Sequence, residues 1–139
     1  MKALGFMVNG EMFAVDVEFV QKVVRNIALT PLPAAPSSIA GIANLKGGVV
    51  TLINFSELIG HHSQTNAAHA IILKPFADGY GVAGLLVDSP SNIISFDEED
   101  ILPPHAISEA EPLSLISSLA ERDGNLYRII DIESIQNRF

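Results

Sequence analysis

Two stretches of this chain repeat each other, and that repeat limits the fold more than any other feature. Gly47-Gly48-Val49-Val50-Thr51-Leu52-Ile53-Asn54-Phe55-Ser56-Glu57-Leu58 aligns with Gly124-Asn125-Leu126-Tyr127-Arg128-Ile129-Ile130-Asp131-Ile132-Glu133-Ser134-Ile135. Each reads as a glycine turn, an apolar β-prone run, Asn or Asp, an aliphatic or aromatic residue, and a short turn closed by an aliphatic. Such a repeat predicts two similar β units in one chain. Asn54 and Asp131 are the expected caps of the short turns, because their side chains accept backbone N–H groups. Ile53 and Ile130 hold equivalent places and are the expected core of central strands.

The rest of the chain has the same texture. Short β-branched runs are broken by Gly, Pro or Asn at intervals of about ten residues, the pattern of a sandwich or of small barrels. Asn9-Gly10, between Gly5–Val8 and Met12–Val17, is the strongest hairpin signal, and Gly47-Gly48 between Ile39–Leu45 and Val49–Ile53 is a second. Further strands are expected at Ala70–Leu73, Val82–Val87, Ile93–Phe96, Leu113–Ile116 and Leu126–Ile130. Ser56–Ile59 and Ile132–Ile135 read as single helical turns. Val17, Val20, Val23 and Val24 share one face of a helix over Val17–Val24. At 139 residues the chain forms a single domain, 1–139. Its approximate halves, 1–60 and 69–139, are joined by the polar segment 61–68, with exchange of strands between the halves left open.

Composition removes several function classes. Sixteen acids against eight bases give a net charge of −8, which disfavours a nucleic-acid backbone binder or docking on anionic lipid. Apolar residues make up 48% and charged residues 17%, so the chain is not disordered. It has no cysteine, hence no disulfide framework, thiolate metal site or thiol nucleophile, and this fits a reducing compartment. No clear signal peptide opens the sequence. The uncharged stretch Asn26–Leu45 is broken by Pro31, Pro33 and Pro36, which does not suit a membrane span. A soluble, cytoplasmic protein is expected.

The chemical motifs favour plain readings. Gly79-Tyr80-Gly81-Val82-Ala83-Gly84 spells G-x-G-x-x-G, but Leu85-Leu86-Val87-Asp88-Ser89-Pro90 follows where a dinucleotide site needs a helix. A hairpin turn and a close-packed strand glycine explain it better. His61, His62, His69 and His105 lack metal-ligand spacing. Asp97-Glu98-Glu99-Asp100 lacks the alternation and glycine of a calcium loop and reads as a solvated acidic turn that Asp97 caps. Asp16 and Asp88 each end a β-run and are expected to satisfy loop amides rather than to act as paired carboxylates. No G-x-S-x-G occurs. No catalytic residue, cofactor or metal is assigned.

At Ile39-Ala40-Gly41-Ile42-Ala43-Asn44-Leu45-Lys46-Gly47-Gly48-Val49-Val50-Thr51-Leu52-Ile53-Asn54 the chain resembles the CheW-like domain of bacterial chemotaxis adaptor proteins, whose pattern reads roughly G-[IV]-x-N-L-R-G-x-[IV]-[VI]-P-[IV]-[IV]-[DN]-L. Phe13-Ala14-Val15-Asp16-Val17 and Leu32-Pro33-Ala34-Ala35-Pro36 precede it in matching order. Gly84-Leu85-Leu86-Val87-Asp88, Ile101-Leu102-Pro103-Pro104 and Leu126-Tyr127-Arg128-Ile129-Ile130-Asp131-Ile132-Glu133 follow it. The resemblance implies an all-β fold of two five-stranded SH3-like barrels packed on a shared hydrophobic core, with a few short helical turns.

It also implies a non-enzymatic scaffold in bacterial signal transduction. Such adaptors couple the cytoplasmic tips of chemoreceptors to the regulatory domain of a chemotaxis histidine kinase, without nucleic acid and without membrane insertion. Carried over by position, the protein-binding residues are Val20, Lys22, Val23, Gly41, Lys46 and Gly47. Val20 and Val23 read equally well as core, and Gly41 and Gly47 as backbone geometry. Three departures stand out: Lys46 replaces the usual arginine, Lys22 the usual glutamate, and Thr51 the usual proline. Lysine keeps the charge but loses arginine's planar fork. The alternatives are an adaptor of a non-flagellar system, such as one for pilus motility, and, remotely, a small metalloenzyme using His61, His62, His69 or His105.

Overall fold

Asn9 and Gly10 close the first hairpin. Strand β1 (Lys2–Val8) pairs antiparallel with β2 (Glu11–Asp16), Val8 lies opposite Glu11, and the two turn residues take φ of 51° and 79°. Asparagine and glycine tolerate that left-handed pair better than other residues. The computed structural model describes residues 1–60, 68–75, 82–102 and 115–137. After a 3₁₀ turn at Val17–Phe19 come β3 (Val20–Val24), β4 (Ile39–Leu45), β5 (Gly48–Asn54) and the one-turn helix α1 (Phe55–Leu58). Then follow β6 (His69–Leu73), β7 (Val82–Val87), β8 (Ser89–Ser95), β9 (Ile101–Leu102), β10 (Ile116–Arg122), β11 (Asn125–Ile130) and α2 (Ile132–Gln136).

The strands make two sheets, ordered β8-β1-β2-β11-β10-β9 and β3-β6-β7-β5-β4. The first five strands of one correspond, place for place, to the five of the other. The repeated hairpins show this most directly. Ile39 lies opposite Ile53 and Ile116 opposite Ile130, and in both the register slips just beyond that pair. The repeat strand then runs parallel to β7 in one sheet and to β2 in the other. The six-stranded sheet takes strands from both sides of the other: β1 and β2 join β8 to β11, while the five-stranded sheet is the unbroken run β3 to β7 between them. The six-stranded sheet adds the short β9, whose counterpart is the single bridge between Thr30 and Ile42.

Strand alternation sorts the apolar side chains into three layers. Leu4, Phe6, Phe13, Val15 and Ile130 of one sheet meet Ile53, Ile71, Leu73, Leu85 and Val87 of the other in a shared core. Phe6 stacks on Phe13 at 5.6 Å, and Phe55 of α1 packs edge-on against both. The opposite faces fill the two sheet interiors: Ala3, Ala14, Phe96, Ala120, Tyr127 and Ile129 in the first, and Ala43, Val50, Leu52, Ala70, Ile72 and Leu86 in the second. Ile53 and Ile130 are only 1% and 4% exposed.

Several expectations need correction. Val17–Val24 is not a helix. It is a 3₁₀ turn followed by a strand with a bulge between Val20 and Lys22. The extra residue lets Val20 and Val23, three apart, both lean on the shared core, and so imitates helical spacing. The second hairpin turns on Lys46-Gly47, not Gly47-Gly48, because Leu45 pairs with Gly48. The strand expected at Leu113–Ile116 starts only at Ile116; residues 113 and 114 lie outside the described residues. Asp131 caps α2, accepting from the Ser134 N–H and hydroxyl at 3.3 and 3.0 Å. Asn54 makes no such bond, and its Oδ1 is buried without a partner.

The remaining motifs resolve locally. The Asp16 carboxylate accepts from the Glu18 N–H and that of Asp88 from the Asn9 N–H, so each satisfies a loop amide. The Asn9 side chain donates to Ser56 Oγ, which ties the first hairpin to α1 of the other sheet. Of the G-x-G-x-x-G, Gly84 lies within β7, where a Cβ would sit 2.9 Å from Ile72 Cδ1. Gly79, Tyr80, Gly81, His61, His62, His105 and the joint at 61–67 lie outside the described residues. His69 Nδ1 accepts from the Asn26 N–H at 3.0 Å.

Candidate protein-binding site

Lys46 stands at the apex of the β4–β5 turn, where Gly47 takes φ of 109° and lets the hairpin reverse beneath an exposed lysine. Lys22 reaches the same place from β3. The bulge puts it opposite Ile72, whose side chain belongs to the interior of the five-stranded sheet. The two lysines therefore rim the open mouth of that sheet, a groove of about 190 Å³ that Gly47 also lines. Its floor is apolar, formed by Leu45, Val50, Ile72 and Val82. Val49, 54% exposed, stands on the lip. Among the described residues neither lysine makes an ion pair. Strands β3 to β7 contain no acidic residue.

The corresponding mouth of the six-stranded sheet carries the opposite charge. Its β10–β11 turn is Asp123-Gly124, and the cleft beside it is lined by Glu99, Asp100, Glu121 and Arg122. Arg122 Nη1 donates to Asp100 Oδ2 at 3.0 Å and to Asp97 Oδ2 at 3.2 Å, so this cation is pinned by its neighbours. The Asp100 carboxyl is held below its ordinary value, chiefly by the Asp97 N–H that donates to it; desolvation opposes this, and Arg122 adds to the lowering.

Of the six positions proposed from sequence, the structure brings Lys22, Lys46 and Gly47 together at one groove. Val20 and Val23 lie elsewhere, half-buried against the shared core. Gly41 is buried inside β4 with φ of 156°, and a Cβ there would run into the Thr30 carbonyl oxygen and stand 2.7 Å from Leu29 Cδ1. Its glycine is explained by the close passage of the Thr30 strand. Ile72, Val50 and Val82 escaped sequence reading as groove residues because they come from three strands with no local motif.

The sheet order, the N-L-K-G turn and the groove it overhangs can be set beside known proteins. The chain matches the CheW-like domain family over residues 2–139. It belongs to that family. Its curated relatives include the chemotaxis protein CheW of Rhizobium meliloti, 27% identical over 95% of this chain and 84% of that one. The CheW of Bacillus subtilis is 25% identical over 99% of this chain and 87% of its own length. Among solved structures, the scaffolding protein CheW of Thermoanaerobacter tengcongensis superposes with a TM-score of 0.81 and 26% identity. It covers 94% of this CheW-like chain and 88% of its own. No helix among the described residues is long and apolar enough to cross a membrane.

Proposed function

We propose that this CheW-like chain is a non-catalytic, cytoplasmic coupling adaptor of a chemosensory complex. It joins the cytoplasmic tip of a chemoreceptor to the regulatory domain of a histidine kinase. Family membership supports the adaptor role. The observation that carries the site is the convergence of Lys22 and Lys46, from separate strands, on a groove with an apolar floor. Binding sites for proteins often combine an apolar anchor pocket with a charged rim that sets orientation and partner choice. Val20 and Val23 act through the shared core on which they lean, and Gly41 by keeping β4 close to Thr30.

The test is calorimetric titration of the chain with a receptor cytoplasmic hairpin and, separately, with a kinase regulatory domain. Both are expected to bind. Lys46→Ala is expected to weaken at least one of them by about tenfold, roughly 1.4 kcal/mol, with an unchanged melting temperature because Lys46 is exposed. Affinities within twofold of wild type for both partners would remove Lys46 from the site.

A further inference from the structure

We propose that the lysine-rimmed groove receives an acidic segment of a partner protein: one large apolar side chain seats on the groove floor, with a carboxylate on either side of it for Lys22 and Lys46. This deepens the reading of that groove as a protein-binding site and rests on it. The floor sets the anchor. Leu45, Val50, Ile72 and Val82 offer no hydrogen-bonding side chain. The groove's volume of about 190 Å³ exceeds the ~150 Å³ of an apolar cavity that holds benzene. It therefore has room for one side chain the size of leucine or phenylalanine. Val49, exposed on the lip, adds apolar surface beside it.

Charge sets what flanks the anchor. Residues 20–87, which contain all five strands of that sheet, hold four basic side chains and two acidic ones, Glu57 and Asp78. That is a charge of +2 in a chain of net −8, so the remainder carries −10. Glu57 sits on α1, beyond the end of β5 that lies away from the Lys46-Gly47 turn. Asp78 lies outside the described residues. Among the described residues, none that lines the groove is acidic. A carboxylate-bearing segment is repelled by most of this chain and attracted at this mouth, which fixes where and which way round it docks.

Lys22 determines the specificity. The family pattern places glutamate there and arginine at Lys46, so in a chain that follows the pattern the two positions at this mouth carry opposite charges. Two lysines cannot neutralise each other, and each leaves a positive charge for the partner to meet. The same pair rejects a segment whose anchor is flanked by basic residues. A second copy also supplies carboxylates, at the acidic cleft of its six-stranded sheet. That cleft is itself concave, and Arg122 already holds its Asp97 and Asp100. It fills the groove less well than a protruding apolar side chain does.

The experiment titrates the isotope-labelled chain with short synthetic peptides, followed by heteronuclear NMR. Three peptides carry a leucine flanked on both sides by glutamates, by glutamines or by lysines, and a fourth is the glutamate peptide with its leucine changed to alanine. Shifts are expected at the amides of Lys46, Gly47 and Val82. Affinity should fall from glutamate to glutamine to lysine, by about fivefold at each step. Loss of the leucine should cost about tenfold or more. In a Lys22→Glu, Lys46→Glu double variant the order should invert, with an unchanged melting temperature because both lysines are exposed. Equal affinities for the three leucine peptides, an order that the double variant leaves unchanged, shifts away from the groove, or no shift up to millimolar peptide would overturn the proposal. So would self-association of the chain that the double variant abolishes while no peptide binds. Failure here is distinct from failure of the coupling role: if receptor and kinase both bind while the peptides show no charge order, this proposal alone falls.

Discussion

Ile53→Ala and Ile130→Ala probe the internal repeat and the shared core together. The two isoleucines are 1% and 4% exposed and reach the same core from opposite sheets. Each substitution removes three buried carbons, worth about 2.4 kcal/mol at about 0.8 kcal/mol each. The space left between two packed sheets closes only in part, which adds about 1 kcal/mol. Each variant is therefore expected to lose about 3–4 kcal/mol, or about 10 °C in melting temperature for a domain of this size. Val49 and Leu126 hold equivalent positions near the start of the same two strands but are 54% and 42% exposed, so Val49→Ala and Leu126→Ala serve as controls. These should stay within about 1 kcal/mol. Urea unfolding followed by far-UV circular dichroism measures all four. A loss below about 1 kcal/mol at either isoleucine would refute the common packing of the two repeats.

Gly41→Ala is expected to lower stability by about 2 kcal/mol or more, because its Cβ meets the Thr30 backbone rather than a movable side chain; thermal melts check this, and an unchanged melting temperature would return Gly41 to the list of contact residues. Asp100 has a lowered folded-state pKa, so its contribution is present above the ordinary value of 3.8 and fades as pH falls through the folded value. Asp100→Asn should thus cost stability at neutral pH and converge with wild type well below pH 3.8, as urea titrations at the two pH values would show. Lys22→Glu restores the glutamate usual in the family and should shift preference toward receptor tips recognised by glutamate-bearing adaptors, as read in paired titrations against two receptors.

Much of this fold is written in local chemistry. Asn9-Gly10 can hardly close anything but a tight hairpin, and the alternation in β1, β2 and β11 assigns each side chain to a layer. The repeat pointed to paired β units and to the burial of Ile53 and Ile130. What escaped was non-local. The bulge in β3 placed Val20 and Val23 at helix-like spacing, so a strand read as a helix. The Lys46-Gly47 turn was misplaced by one residue because Gly48 is also a glycine and equally permissive. The groove beneath Lys46 draws on β3, β5, β6 and β7, which only the sheet order brings together.

Coupling itself is tested most directly by a bridging measurement. Receptor cytoplasmic hairpins are immobilised, a kinase regulatory domain is passed over them, and its retention is measured with and without this chain. Retention that depends on the chain, saturates with it, and falls about tenfold with Lys46→Ala is the expected result. A chain that binds one partner only by displacing the other, or that leaves retention unchanged, would contradict its role as the link between receptor and kinase.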